Sequence, residues 1–121
     1  MGDISPNFSR YEFACRCGCG HNTIDAETLT VLETLRTHFG EPVSVNSGNR
    51  CAKHNKAVGG ASNSQHLYGR AADINVDSIP PNEVAKYLEH KYPAKYGIGR
   101  YRNFTHIDTR SGPAVRWRGD Q

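Results

Sequence analysis

Ser64-Gln65-His66-Leu67-Tyr68-Gly69-Arg70-Ala71-Ala72-Asp73 is the stretch around which the rest of this chain is arranged. It sets an imidazole and a carboxylate seven positions apart among small residues and leads into Ala71-Ala72-Asp73-Ile74-Asn75-Val76, where apolar and polar residues alternate. A period of two predicts a strand with Ala72, Ile74 and Val76 on the core face and Asp73 and Asn75 on the other. Phe104-Thr105-His106-Ile107-Asp108 alternates in the same way, with Phe104, His106 and Asp108 sharing one face. Side by side in an antiparallel sheet, two such strands bring Asp73 and His106 together on a polar face, with His66 carried over them by the loop. Two imidazoles and a carboxylate are a donor set for hydrolytic zinc, and three protein ligands leave a fourth position open. Gly69 is expected to let the backbone pass close under a ligand, and Ala71 and Ala72 to leave room around a metal.

Outward from this centre, Asp25 caps a helix in which Leu29, Val31, Leu32, Leu35 and Phe39 recur at helical spacing until Gly40. Pro42-Val43-Ser44-Val45-Asn46-Ser47 reads as a half-buried strand that delivers Gly48-Asn49-Arg50 at its end. Pro80-Pro81 opens a helix through about Lys91, with Val84, Ala85 and Leu88 facing in. Tyr96-Gly97-Ile98-Gly99 and residues 104–108 form a hairpin across 100–103. Residues 7–14 suggest a short helix with Phe8, Tyr11 and Phe13 on its apolar side, and residues 51–65, with Gly59-Gly60, Ser62, Asn63 and Ser64, an ordered loop. The fold expected is one α+β domain over residues 1–121: a small antiparallel sheet flanked by helices, its core at about 8–118 and its ends loose beyond Trp117.

A chain of 121 residues, 36% hydrophobic and of formal charge +3, has room for one modest core. Its Lys and Arg are scattered, which argues against nucleic acid as a partner. No stretch approaches the roughly 20 apolar residues of a membrane span, and the start lacks a signal-peptide pattern. Synthesis in the cytoplasm is therefore expected, with export by another agent, and a monomer is expected. Cys15, Cys17 and Cys19 crowd one stretch while Cys51 stands apart. Two readings stand: a second, structural zinc on these thiolates with His21 nearby, or reduced thiols packing an N-terminal loop.

Ser64 to Asp73 matches at each specified position the SxHxxGxAxD signature of the zinc D-Ala-D-Ala peptidases of the M15 group, related to the D-alanyl-D-alanine dipeptidases and the Hedgehog amino-terminal domain. Ser47-Gly48-Asn49-Arg50 is similar to that group's SGxR motif, and His106-Ile107-Asp108 to its histidine-bearing strand. The resemblance extends over roughly residues 8–118, including Gly59-Gly60 and Arg116-Trp117. It implies a Hedgehog/DD-peptidase-like fold in which His66, Asp73 and His106 bind Zn2+. It further implies that Arg50 orients or polarises the scissile carbonyl or a substrate carboxylate, and that Ser64 offers its hydroxyl to the peptide terminus or to a loop backbone. One departure is plain. Relatives carry a general base two or three residues before the last zinc-binding histidine, and Asn103 and Phe104 stand there. Asp108 is the nearest carboxylate, read either as a substitute base or as the acceptor that orients His106; His54 is a weaker candidate.

The expected function is a zinc peptidase cutting an amide bond in peptidoglycan stems or cross-links, as carboxypeptidase or endopeptidase. A phage-type lysin released to the wall by a holin would suit the chain. The rival is a zinc-bearing binding module without hydrolysis. A purely structural zinc domain would need the cysteines as its sole metal site, and His66→Ala would then leave metal content unchanged.

Overall fold

The computed structural model describes residues 2–60 and 64–119. Helix α1 spans Ala26–Phe39, with the Asp25 carboxylate accepting from the Glu27 amide and Gly40 closing it in the left-handed conformation at φ 67°. Strand β1 is Val43–Ser47, helix α2 Ala52–Ala57 and strand β2 Ala71–Val76. Helix α3 runs Pro81–Lys91 with Pro81 in its first turn. Strands β3, β4 and β5 are Gly97–Arg100, Thr105–Asp108 and Val115–Arg118.

Among the described residues the strands form a five-stranded sheet in the order β1-β2-β4-β3-β5. The first four are antiparallel neighbours. The α+β class stands, but β5 joins β3 in parallel, so the sheet is mixed rather than wholly antiparallel. The Arg116 guanidinium holds this edge by donating to the carbonyls of Tyr96 at 2.8 Å and Tyr92 at 2.7 Å.

One face of the sheet carries the core. Val43 and Val45 of β1, Ala72, Ile74 and Val76 of β2, Ile98 of β3 and Ile107 of β4 pack with Val31, Leu32 and Leu35 of α1 and Val84, Ala85 and Leu88 of α3. Thr28 of α1 is buried there and its hydroxyl meets Thr109 Oγ1 at 2.6 Å and donates to the Arg70 carbonyl at 3.1 Å. That pair joins α1 to the end of β4 and the start of β2, so the helix fixes where the two site strands sit.

Three further expectations change. Residues 7–14 hold only a 3-10 helix, Arg10–Phe13, with Phe8 and Phe13 buried and Tyr11 exposed. Residues 52–57 are helical rather than loop: the Cys51 sulfur accepts from the His54 amide and caps α2, a start signal that a search for capping oxygens and apolar periodicity passes over. Ser62 and Asn63 lie outside the described residues. Beyond Trp117 the chain is still paired, Arg118 in β5 and the Gly119 amide donating to Arg100 at 2.8 Å.

Candidate metal centre

Strand register builds the site. Asp73 of β2 stands opposite His106 of β4, His106 opposite Gly99 of β3, and Gly99 opposite Trp117 of β5. Residues directly opposite share a face, so a carboxylate, an imidazole and an indole line up across the polar side of the sheet. Gly97 and Gly99 lie in the gaps. A Cβ on Gly99 would fall 2.6 Å from the Trp117 indole, and one on Gly97 2.5 Å from Asp108 Oδ2. These glycines let the site side chains fold flat over β3.

His66 arrives from a 3-10 turn, Gln65–Tyr68, whose first amides are ordered by the Ser64 hydroxyl accepting from His66 N at 3.2 Å. Gly69 ends the turn at φ 70°, and a Cβ there would meet the Thr23 carbonyl at 2.7 Å. Its closeness is therefore to the chain before α1, not to a ligand. Of the two alanines, Ala71 shares the site face, while Ala72 belongs to the core on the other side.

The Gly48 carbonyl lies 2.7 Å from His66 Nδ1 and accepts its proton, which leaves the lone pair on Nε2. Nε2 is buried, 3.3 Å from Asp73 Oδ1, and makes no hydrogen bond among the described residues. An unsatisfied buried polar atom costs about 1–3 kcal/mol, so a nitrogen aimed at a carboxylate in this way fits a cation between them. His106 Nδ1 lies 2.9 Å from the same Asp73 oxygen, and its Nε2 lies 2.7 Å from Asp108 Oδ2. Ligand atoms of His66, Asp73 and His106 all fall within 4.8 Å of one another. Two neutral nitrogens and a carboxylate in that span suit zinc.

Electrostatics around the three are steep. Burial would raise the Asp73 pKa, but the hydrogen bond from His106 and the two imidazoles set against its carboxylate outweigh it and hold the carboxyl well below its usual range. Burial would lower His106, yet Asp108 and Asp73 on its two nitrogens push it up. His106 thus stands between two carboxylates, one at each ring nitrogen. Asp108 is fully buried and clamped by Arg110, with Nε to Oδ1 at 2.7 Å and Nη2 to Oδ2 at 2.8 Å. Those bonds and His106 overcome its burial and hold it below the ordinary carboxylate range.

Arg50 follows β1 and is fixed at all three guanidinium nitrogens: Nε to Ser47 Oγ at 3.1 Å, Nη1 to Asn55 Oδ1 at 3.1 Å and Nη2 to Asp73 Oδ2 at 3.2 Å. Its amide donates to the His66 carbonyl at 2.9 Å. Arg50, His66, Asp73 and His106 line a cleft of about 550 Å³ together with Tyr101, Trp117, Val58, Gly59 and Gly60. Trp117 Nε1 donates to the Tyr101 hydroxyl at 2.9 Å, and its ring lies 5.0 Å from that of His106. His54 sits on α2 away from the cleft walls. Asn103 turns its carbonyl to Asn75 at 2.8 Å, and Phe104 stacks on Tyr101.

Sequence reading missed Arg110, Tyr101, Trp117 as a wall and the Gly48 carbonyl. The Gly-Ile-Gly pattern of β3 was the available signal, since glycine inside a strand marks a close approach.

Fold and site together define a metal-centre protein of the α+β class, with two imidazoles and a carboxylate open to a cleft. The chain belongs to the peptidase M15 family, whose model matches residues 6–108. It is also similar to a zinc D-Ala-D-Ala carboxypeptidase of Streptomyces albus G, at 46% identity over 52 residues. That stretch is 42% of this chain and 20% of the relative, so the match spans about a fifth of the relative's length. The cofactor is zinc, on the family, the relative and the donor group together.

Proposed function

We propose that this chain is a zinc peptidase that hydrolyses an amide bond in the stem peptides or cross-links of bacterial peptidoglycan, as a carboxypeptidase or endopeptidase of the phage-lysin kind, released to the wall through a holin. The observation that carries the reading is the buried His66 Nε2, without a hydrogen bond among the described residues, facing Asp73 and His106 in a cleft large enough for a short peptide. Family membership and the zinc carboxypeptidase relative support the substrate class. Held by His66, Asp73 and His106, zinc would supply Lewis acidity toward a carbonyl and a nucleophile at neutral pH.

The other roles belong to the chain's own groups. Arg50 keeps Asp73 oriented through its outer oxygen and brings a permanent charge to the cleft, suited to a carbonyl oxygen or a terminal carboxylate. Ser64 serves as the hydroxyl that orders the His66 turn. Asp108 was open to two roles, and its surroundings favour one. A general base must reach the substrate side with a pKa near the working pH; Asp108 is fully buried, bonded through both oxygens and depressed in pKa. It therefore orients His106 and fixes which of its nitrogens faces Asp73. Trp117 and Tyr101 offer an apolar wall for alanine methyl groups.

A second reading, a zinc-bearing wall-binding module without hydrolysis, is favoured by Asn103 and Phe104, which supply no acid or base. Digestion of purified peptidoglycan of several wall types by zinc-loaded protein, against a chelated control, separates the two by mass spectrometry of the fragments. New amide cleavage that the chelator abolishes supports the peptidase. Pull-down on the same walls with no released fragment supports the module.

A further inference from the structure

None of the four cysteines of the chain lines the cleft, and none has a part in the proposed hydrolysis. Cys15, Cys17 and Cys19 come from the loop after the 3-10 helix, and Cys51 stands next to Arg50 at the head of α2. All four thiols are free. Their sulfurs lie within 4.8 Å of one another. Three of the separations are 3.5 Å for Cys15–Cys17, 3.6 Å for Cys17–Cys51 and 3.9 Å for Cys15–Cys51. A tetrahedral zinc with Zn–S bonds of about 2.3 Å has sulfur-to-sulfur edges of about 3.8 Å. The three sulfurs of Cys15, Cys17 and Cys51 already stand at about that spacing, with the Cys19 sulfur within 4.8 Å of them.

We infer that Cys15, Cys17, Cys19 and Cys51 bind a second zinc ion, with all four coordination positions filled by protein sulfur and separate from the His66–Asp73–His106 centre. The surroundings are those of a thiolate site. The Cys51 amide points at Cys15 Sγ at 3.4 Å and the His54 amide at Cys51 Sγ at 3.4 Å, each offering a proton to sulfur charge. His21 Nδ1 lies 3.1 Å from Cys19 Sγ, where its N–H would donate to a zinc-bound thiolate. Between Cys15 and Cys17, Arg16 is drawn the other way, donating to the carbonyls of Val45 at 2.6 Å and Asn46 at 3.3 Å. That anchor turns the two neighbouring thiols to the same side. Gly18 and Gly20, at φ 81° and 94°, supply the left-handed bends that bring Cys19 back to them.

Pairing as disulfides would satisfy two sulfurs at a time and leave the tetrahedral grouping unexplained. Four thiolates on zinc carry a net charge of 2−, which the N–H groups aimed at the sulfurs offset, and each ligand proton is released on binding. Because Cys51 is covalently next to Arg50, the ion would clamp the amino-terminal loop to the backbone of a cleft residue. It would stand whether or not the cleft hydrolyses anything.

The test is metal content and spectroscopy of the full chain purified under reductant. Two zinc ions per wild-type chain are expected, one in His66→Ala/His106→Ala and one in Cys17→Ser/Cys19→Ser. Cobalt loaded into the His66→Ala/His106→Ala variant should give intense near-ultraviolet thiolate-to-metal charge transfer, absent from the cysteine variant. If the cysteine variant fails to fold, thiol titration of wild type decides: four thiols slow to react with Ellman's reagent until a chelator is added support the site. A zinc-free His66→Ala/His106→Ala variant, thiols that react equally fast with and without zinc, or a disulfide found in protein kept under reductant would overturn it.

Discussion

The two groups of potential ligands in this molecule are built on different kinds of scaffold. His66, Asp73 and His106 are all buried, two of them on adjacent central strands and the third on a turn pinned to Gly48 and Ser64. Cys15, Cys17, Cys19 and Cys51 come from loops and the head of a short helix, and Cys17 and Cys19 are exposed. The first group offers three donors in front of a cleft, the second four donors with none to spare. Three donors, two on strands and one on a pinned turn, leave a coordination position for chemistry, whereas four on loops close around an ion and hold chain segments together. The lesson is that rigidity is invested where a reacting group must be placed, and ligand number where loops must be tied.

The largest effect that would break this contrast is at the first group. His66→Ala should reduce peptidoglycan cleavage to the chelated background while leaving one zinc per chain, and Cys19→Ser should retain cleavage in whatever fraction stays folded; metal analysis beside fragment mass spectrometry reads both. Reversal of the two phenotypes would overturn the division of labour. Asp108→Asn comes next, lowering zinc affinity or activity about 10–100-fold as loss of a partner behind a ligand does. A drop to background with zinc affinity intact would instead make Asp108 the proton carrier.

A pH series sharpens the same point. In the metal-free chain the raised pKa of His106 contributes stability that is fully present below its unfolded value, about 6.5, and is lost as pH rises through the folded one. Zinc needs the neutral ring, so its affinity should climb through that window. Thermal midpoints of metal-free and cleft-loaded protein should therefore diverge with rising pH, and parallel curves would remove the imidazolium from the metal-free state. Gly99→Ala should cost about 1–3 kcal/mol by overpacking against Trp117, read by denaturation with a shift in indole fluorescence. Ser64→Ala, removing one hydroxyl from the His66 turn, should cost only about 0.5–1.5 kcal/mol, with substrate KM unchanged; a large KM rise would return Ser64 to the peptide terminus.

Much of the frame was legible because its signals are local. Asp25 and Gly40 bracket α1, Pro81 opens α3, and alternation marks β1, β2 and β4. Helix α2 was missed because its six residues show no apolar stripe and its cap is a sulfur. Strand β5 was missed because its four residues are an edge whose partner, β3, lies well before it and runs parallel. Trp117 came with it, as an indole whose place over His106 depends on that pairing.

What the sequence by itself determined is the donor chemistry and its facing: alternation puts Asp73 and His106 on polar strand faces whatever the rest of the chain does, since successive side chains on a strand point oppositely. Only the tertiary structure decided that Asp73 stands opposite His106 rather than one rung away, that Gly48 takes the Nδ1 proton of His66, and that Arg110 occupies both oxygens of Asp108. Register and ring orientation are set by pairing and packing between segments far apart in the chain, where α1 and the apolar face of the sheet must close together. The support role proposed for Asp108 rests on that closure, which buries it and sets His106 and Arg110 against its oxygens.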